Sequence, residues 1–91
     1  MKNKYIFFKK LFPNSIILFK IKDKYKVYKN DKLLIEYIKF KTTNDLEKIK
    51  INYIIVNELK IENKKIFKNN NYYKYYYQSK INMILFLIDS C

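Results

Sequence analysis

Ile16 to Ile21 is a compact apolar run closed by Lys22-Asp23, and Lys24-Tyr25-Lys26-Val27-Tyr28 then alternates. A period of two predicts a strand with Tyr25 and Val27 on one face and lysines on the other. Lys29-Asn30-Asp31-Lys32 predicts a turn, with Asn30 the residue best suited to positive φ in a chain without Gly. Leu33 to Phe40 reads as a mostly buried strand, with Leu33, Ile35 and Tyr37 on one face and Leu34, Ile38 and Phe40 on the other. Lys41 to Asp45 breaks it, and Ile49, Ile51, Tyr53 and Ile55 alternate through Val56.

A helix competes over this last stretch. Asn44 and Glu47 have capping-box spacing, and Leu46, Ile49, Tyr53 and Val56 fall at helical intervals. The density of Ile and Tyr favours the strand, since both lose side-chain freedom in a helix. Leu59 to Ile61 and Lys64 to Lys68 are shorter strand pieces. Asn69 to Ser79 reads as a tyrosine-rich segment, and Ile81 to Ile88 closes the chain as an apolar strand before Asp89-Ser90-Cys91. The pattern predicts a mostly β fold, a small six-stranded sandwich or barrel with a basic, Tyr-rich loop. Residues 1–15, basic, aromatic and ended by Pro13-Asn14-Ser15, read as an N-terminal extension to a single domain over 16–91.

Composition changes this picture in two ways. First, the 91 residues carry 20 basic and 8 acidic side chains, a net charge of +12, and every basic one is Lys. Lys, Asn, Ile, Tyr and Phe supply 63 of the 91 residues, which points to an extremely AT-rich gene and makes part of the lysine excess mutational. Second, the absences exclude chemistry. No Gly means no phosphate loop or dinucleotide fingerprint, and no His means no Ser-His or Cys-His dyad and no His-based zinc site. Cys91 is the single cysteine, so neither a disulfide within the chain nor a metal cluster is expected, and a reducing compartment fits. The N-terminus does not read as a signal peptide, because Lys9 and Lys10 interrupt its apolar run. The longest apolar run, Met83 to Ile88, is roughly a third of a membrane span. The expectation is a protein that is soluble or bound to a larger assembly, with no membrane partner.

Two groups of residues carry candidate chemistry, both for nucleic acid. Lys20, Lys22, Lys24 and Lys26 recur at alternate positions, and each lysine that neutralises a phosphate releases counterions. The blander reading is a solvated polar face inflated by codon bias. Tyr72, Tyr73, Tyr75, Tyr76 and Tyr77 surround Lys74, with Lys68 and Lys80 flanking and Lys64 and Lys65 counted with them as candidate RNA contacts, combining stacking surfaces with charge. Here the alternative is a half-buried strand whose alternate tyrosines pack on the core. Catalysis has little support. Glu36, alone among the carboxylates in lying within an apolar run, has no evident partner, and neither an enzyme, a cofactor, a metal nor a small-molecule substrate is expected.

From Tyr25 to Ile38 the chain resembles the bacterial large-subunit ribosomal protein twenty-one family, which reads Tyr-Lys-Val, three residues, Asp, then alternating aliphatics with a Glu. Tyr25, Lys26, Val27, Asp31, Leu33, Ile35, Glu36 and Ile38 follow that order, with Asn30 where the family has Gly. Ile16 to Lys20, Ile49, Ile51, Ile54 to Val56, Lys64 to Lys68, Asn71-Tyr72 and Leu85 to Ile88 continue it more loosely. Lys22-Asp23 replaces the family's Gly-Gly, Tyr77-Gln78-Ser79-Lys80 falls where Gly-His-Arg-Gln is usual, the stretch between Val56 and Lys64 is shorter, and residues 1–15 are extra. The resemblance implies an all-β domain seated on large-subunit ribosomal RNA beside neighbouring ribosomal proteins, in the cytoplasm of a bacterium or endosymbiont, or in an organelle. Its lysines would screen phosphate repulsion and its tyrosines fill gaps or stack. The competing expectation is an orphan membrane- or partner-binding polypeptide, basic only through codon bias.

Overall fold

A computed structural model describes residues 2–89, with side chains over residues 3–85. Met1 and the terminal Ser90-Cys91, with the single cysteine, lie outside the described residues. The order is α1 (Lys2–Leu11), β1 (Ile16–Ile21), β2 (Lys24–Lys26), α2 (Lys29–Tyr37), α3 (Thr43–Lys48), β3 (Tyr53–Asn57), β4 (Lys60–Lys65) and α4 (Tyr72–Asp89). The strands form one mixed sheet in the order β2-β1-β3-β4. The six-stranded, all-β expectation is therefore corrected to an α/β fold with helices on both faces of a four-stranded sheet.

β1 coincides with the predicted strand and β3 lies largely within another. The two pair in parallel, Ile16 with Tyr53 through Phe19 with Val56. Their apolar runs are buried on both faces, as central parallel strands require. Ile16, Leu18, Tyr53 and Ile55 pack with Leu34 of α2, Leu46 of α3 and Tyr72 of α4. Ile17, Phe19, Ile54 and Val56 pack on the other face with Tyr5 and Phe8 of α1. Residues 1–15, expected as an extension, thus contain a helix that supplies core side chains.

Three stretches expected as strand or loop are helical, each for a readable reason. In α2, Asp31, Leu34, Ile35 and Ile38 turn inward at intervals of three and four. The cap of α3 is Thr42, two residues before the candidate box: the Asp45 carboxylate accepts the backbone N–H groups of Lys41 at 2.7 Å and Thr42 at 3.0 Å. Those two bonds hold the Asp45 carboxyl below its ordinary range. In α4, Tyr72, Tyr75, Tyr76 and Ser79 make the inner face at the same intervals. Five of the tyrosines thus belong to a helix rather than to a loop or strand.

Both short helices of the crossover end in a left-handed residue that is not Gly. At α2, Lys39 has φ 56° while the N–H groups of Lys39 and Phe40 donate to the carbonyls of Glu36 and Ile35. At α3, Lys50 has φ 57°, and the N–H groups of Lys50 and Ile51 donate to Glu47 and Leu46. These are Schellman stops with a Cβ in a region that disfavours one. Lys39→Gly with Lys50→Gly is expected to stabilise the fold by about 1–2 kcal/mol, read as a higher denaturation midpoint with an unchanged m-value. No gain, or a loss, would mean that the lysine side chains hold these stops.

Candidate nucleic-acid interface

The charge on this molecule is sorted by the sheet. Pairing Phe19 with Lys26 and Ile21 with Lys24 puts Lys24 and Lys26 on the face covered by α1. Pairing Ile54 with Lys64 puts Lys64 on that face too, at the opposite edge. Two intervening strands separate these edges, about 14 Å at the usual strand spacing. α1 packs on this same face and exposes Lys10, Phe7 and Leu11. Lys26 Nζ lies 5.4 Å from the centre of the Tyr28 ring, and Lys64 Nζ lies 5.7 Å from that of Phe12.

Among the residues whose side chains are described, no carboxylate shares the face. Asp23 and Glu58 occupy the two hairpin turns, Asp31 is buried, and Glu36, Asp45 and Glu47 belong to α2 and α3 on the far layer. Glu62 joins far-face groups: it accepts from Lys20 Nζ at 2.8 Å and from Asn57 Nδ2 at 3.1 Å. Those contacts raise the Lys20 ammonium and lower the Glu62 carboxyl, the hydrogen bond between them being the first cause in each case.

α1 is fixed to the sheet by a buried polar cluster. Lys9 Nζ donates to Asp31 Oδ1 at 2.8 Å, to Tyr72 Oη at 2.8 Å and to the Ser15 carbonyl at 2.6 Å, and sits 4.3 Å from the centre of the Tyr72 ring. Tyr72 Oη donates in turn to Asp31 Oδ1 at 2.8 Å, and the Ile17 N–H donates to Asp31 Oδ2 at 3.1 Å. One carboxylate therefore ties α1, β1, α2 and α4. Burial pushes the Lys9 ammonium down, opposed by Asp31, and pushes the phenols of Tyr5 and Tyr72 up, reinforced by the Asp31 charge.

The residues singled out from the sequence separate accordingly. Lys24, Lys26 and Lys64 come together on the α1 face, and exposed Lys22 sits at its end in a turn at φ 59°. Lys20 does not join them: the two-residue turn reverses the chain, so even positions in β2 face with odd positions in β1. Lys65 lies on the far face, 3.6 Å from Glu47, and Lys68 is exposed in the turn before α4. Tyr72 is buried and therefore removed from any stacking role, while Tyr75 and Tyr76 are half-buried against the core. Tyr73, Lys74, Tyr77 and Lys80 are exposed on α4, in a different layer. Sequence reasoning missed Lys10, Phe7, Leu11 and the Lys9–Asp31 pair. The signal was present in Tyr5, Phe8, Lys9 and Phe12, whose intervals of three and four mark the inner side of a helix.

Among the described residues no three His, Cys, Asp or Glu side chains gather to hold a metal ion, and no helix is long and apolar enough to cross a membrane. Comparisons with protein-family models, curated proteins and solved structures return no match.

Proposed function

We propose that this chain is a non-catalytic RNA-binding module that sets its α1 face on the phosphate backbone. The observation that carries the reading is the segregation of charge: Lys10, Lys24, Lys26 and Lys64 on α1 and its two flanking edges, with no carboxylate among them. Such a face binds by counterion release, without base readout, and Lys supplies point charges rather than the bidentate fork of Arg. Exposed Phe7 adds an apolar ring between the two basic edges. A seat on large-subunit ribosomal RNA is the narrower form of this proposal. It rests only on the order of residues from Tyr25 to Ile38 and its looser continuation over residues 16–88, since the all-β fold implied by that resemblance is not the fold of this chain.

Fluorescence anisotropy with large-subunit ribosomal RNA fragments, an unrelated RNA of equal length and anionic vesicles, each across a salt titration, tests both forms. Four phosphate contacts give a slope of log K on log salt of about −3 for a single strand, so affinity falls roughly fiftyfold from 50 to 200 mM salt. A ribosomal preference that survives at high salt supports the narrower reading, and equal binding to both RNAs leaves only the broader one. Vesicle binding as strong as RNA binding would contradict both.

A further inference from the structure

α1 forms a ridge along the face that it covers. It packs on Ile17 and Phe19 of β1 and on Ile54 and Val56 of β3, the two central strands, so the lysine edges of β2 and β4 lie at its foot on either side. With its side chains a helix is about 10 Å across, and the outer side of α1 stands above both edges. At about 100° per residue, Asn3, Phe7 and Lys10 fall within roughly 60° of one another on that outer side, opposite Tyr5, Phe8, Lys9 and Phe12. Ile6 and Leu11, 37 and 56% exposed, lie to either side of them. Phe7 is 58% exposed, and its ring meets that of buried Phe8 edge to face, with centroids 5.1 Å apart at an interplanar angle of 83°. Such a contact covers at most one face of the Phe7 ring and restricts its motion. An aromatic face is thus held beside an exposed ammonium and an exposed amide, on a helix without Asp or Glu.

We propose that this ridge takes unpaired RNA in preference to duplex RNA, with one base stacked on Phe7 and the adjoining phosphates held by Lys10 and the lysine edges. The inference rests on the reading of the α1 face as an RNA-binding surface and narrows its substrate. Shape decides between the two. An A-form duplex offers side chains one groove too deep and narrow to enter and another that is shallow, with its bases paired inside. Against a convex ridge it meets the crest with sugars and phosphates, which sets charge against Phe7 and Leu11 and leaves at least one lysine edge too far below to reach it. A single strand bends over the ridge. It turns a base onto the ring while its backbone descends to Lys24 and Lys26 on one side or to Lys64 on the other. A lipid surface fits less well, because Lys10 and Asn3 part Ile6 from Phe7 and Leu11 and leave α1 no continuous apolar face to sink among acyl chains.

The test titrates the full chain against a labelled twelve-nucleotide RNA strand, the same strand annealed to its complement, and an abasic ribose-phosphate strand of equal length. Charge alone favours the duplex, which has the higher charge density and releases more counterions. The single strand is instead expected to bind about fivefold or more tightly than the duplex, and about tenfold or more tightly than the abasic strand. Phe7→Leu keeps an apolar side chain at this exposed position and removes the ring. It is expected to weaken the single strand about tenfold, with duplex binding within about twofold and the salt slope unchanged. Phe7→Trp is expected to bind the single strand at least as well as the wild type, which separates stacking from a loss of folding. Duplex or abasic binding as tight as that of the single strand, or no effect of Phe7→Leu on it, would overturn this inference and leave RNA binding by the α1 face standing. Binding to neither RNA would overturn both. A fall in binding to phosphatidylglycerol vesicles in Phe7→Leu, with RNA binding unchanged, would assign the ring to a lipid surface instead.

Discussion

Asp31→Ala is expected to cost about 3–5 kcal/mol of folding stability, the range for breaking a buried ion pair by removing one partner. Asp31 is 0% exposed, and its two oxygens receive the Lys9 ammonium, the Tyr72 hydroxyl and the Ile17 amide. Its loss leaves Lys9 mostly buried without a counterion and removes the acceptors of two buried donors. Those donors come from α1, α4 and β1, so the one carboxylate joins three elements to α2. For a domain of this size each kcal/mol moves the melting temperature by roughly 4–8 °C, and a fall of about 15 °C or more is expected. Asp31→Asn keeps an acceptor and loses the charge, so it falls between the two. Asp23→Ala, in the exposed hairpin turn, changes stability by no more than about 0.5 kcal/mol. An Asp31→Ala protein within 1 kcal/mol of wild type by chemical denaturation would show that the cluster only fills space.

The largest functional effect is expected from reversing the charges at Lys24, Lys26 and Lys64. Converting all three to Glu takes the net charge from +12 to +6 and is expected to weaken RNA binding about a hundredfold or more at low salt, with the salt slope cut by roughly 2. Lys32, Lys41 and Lys48 are also exposed, on or beside the far layer of α2 and α3. Converting those three to Glu gives the same net charge, and a loss of tenfold or less is expected. The pair of variants separates placement from total charge, since a steering effect of net charge alone acts on both alike. Equal losses would reduce the α1 face to a share of a diffusely basic surface.

The sequence was readable where one period stood alone. β1 and the β1–β2 turn follow from an apolar run closed by Lys22-Asp23, and β3 follows from Tyr53 to Val56, because strands buried on both faces show as unbroken aliphatics. It was ambiguous where Ile, Leu and Tyr were dense enough to satisfy both periods. Leu33-Leu34-Ile35 fits an alternation and also the Asp31, Leu34, Ile35, Ile38 intervals of α2. The five tyrosines from Tyr72 to Tyr77 looked like a stacking segment, yet Tyr72, Tyr75 and Tyr76 form the inner face of α4.

The usual punctuation was missing as well. Lys39 and Lys50 stand at helix stops where Gly is the customary signal, so two helix ends passed as ordinary charged residues. Asp31 fell within a predicted turn, and nothing local marks it as buried, since its partners Lys9 and Tyr72 lie 22 and 41 residues away. Of the candidate interface, the lysines of β2 and β4 were named from the sequence. Their union with α1 was not, because only the sheet order brings the two edges to either side of that helix.

The placement of RNA on the α1 face is tested most directly by lysine footprinting, with acetylation read residue by residue by mass spectrometry in the presence and absence of bound RNA. The many lysines, spread over every layer, make the chain its own reporter. Protection at Lys10, Lys24, Lys26 and Lys64, with Lys32, Lys41 and Lys48 modified as in the free protein, is the expected result. Protection centred on α2 and α3, or spread evenly over all the exposed lysines, would contradict it.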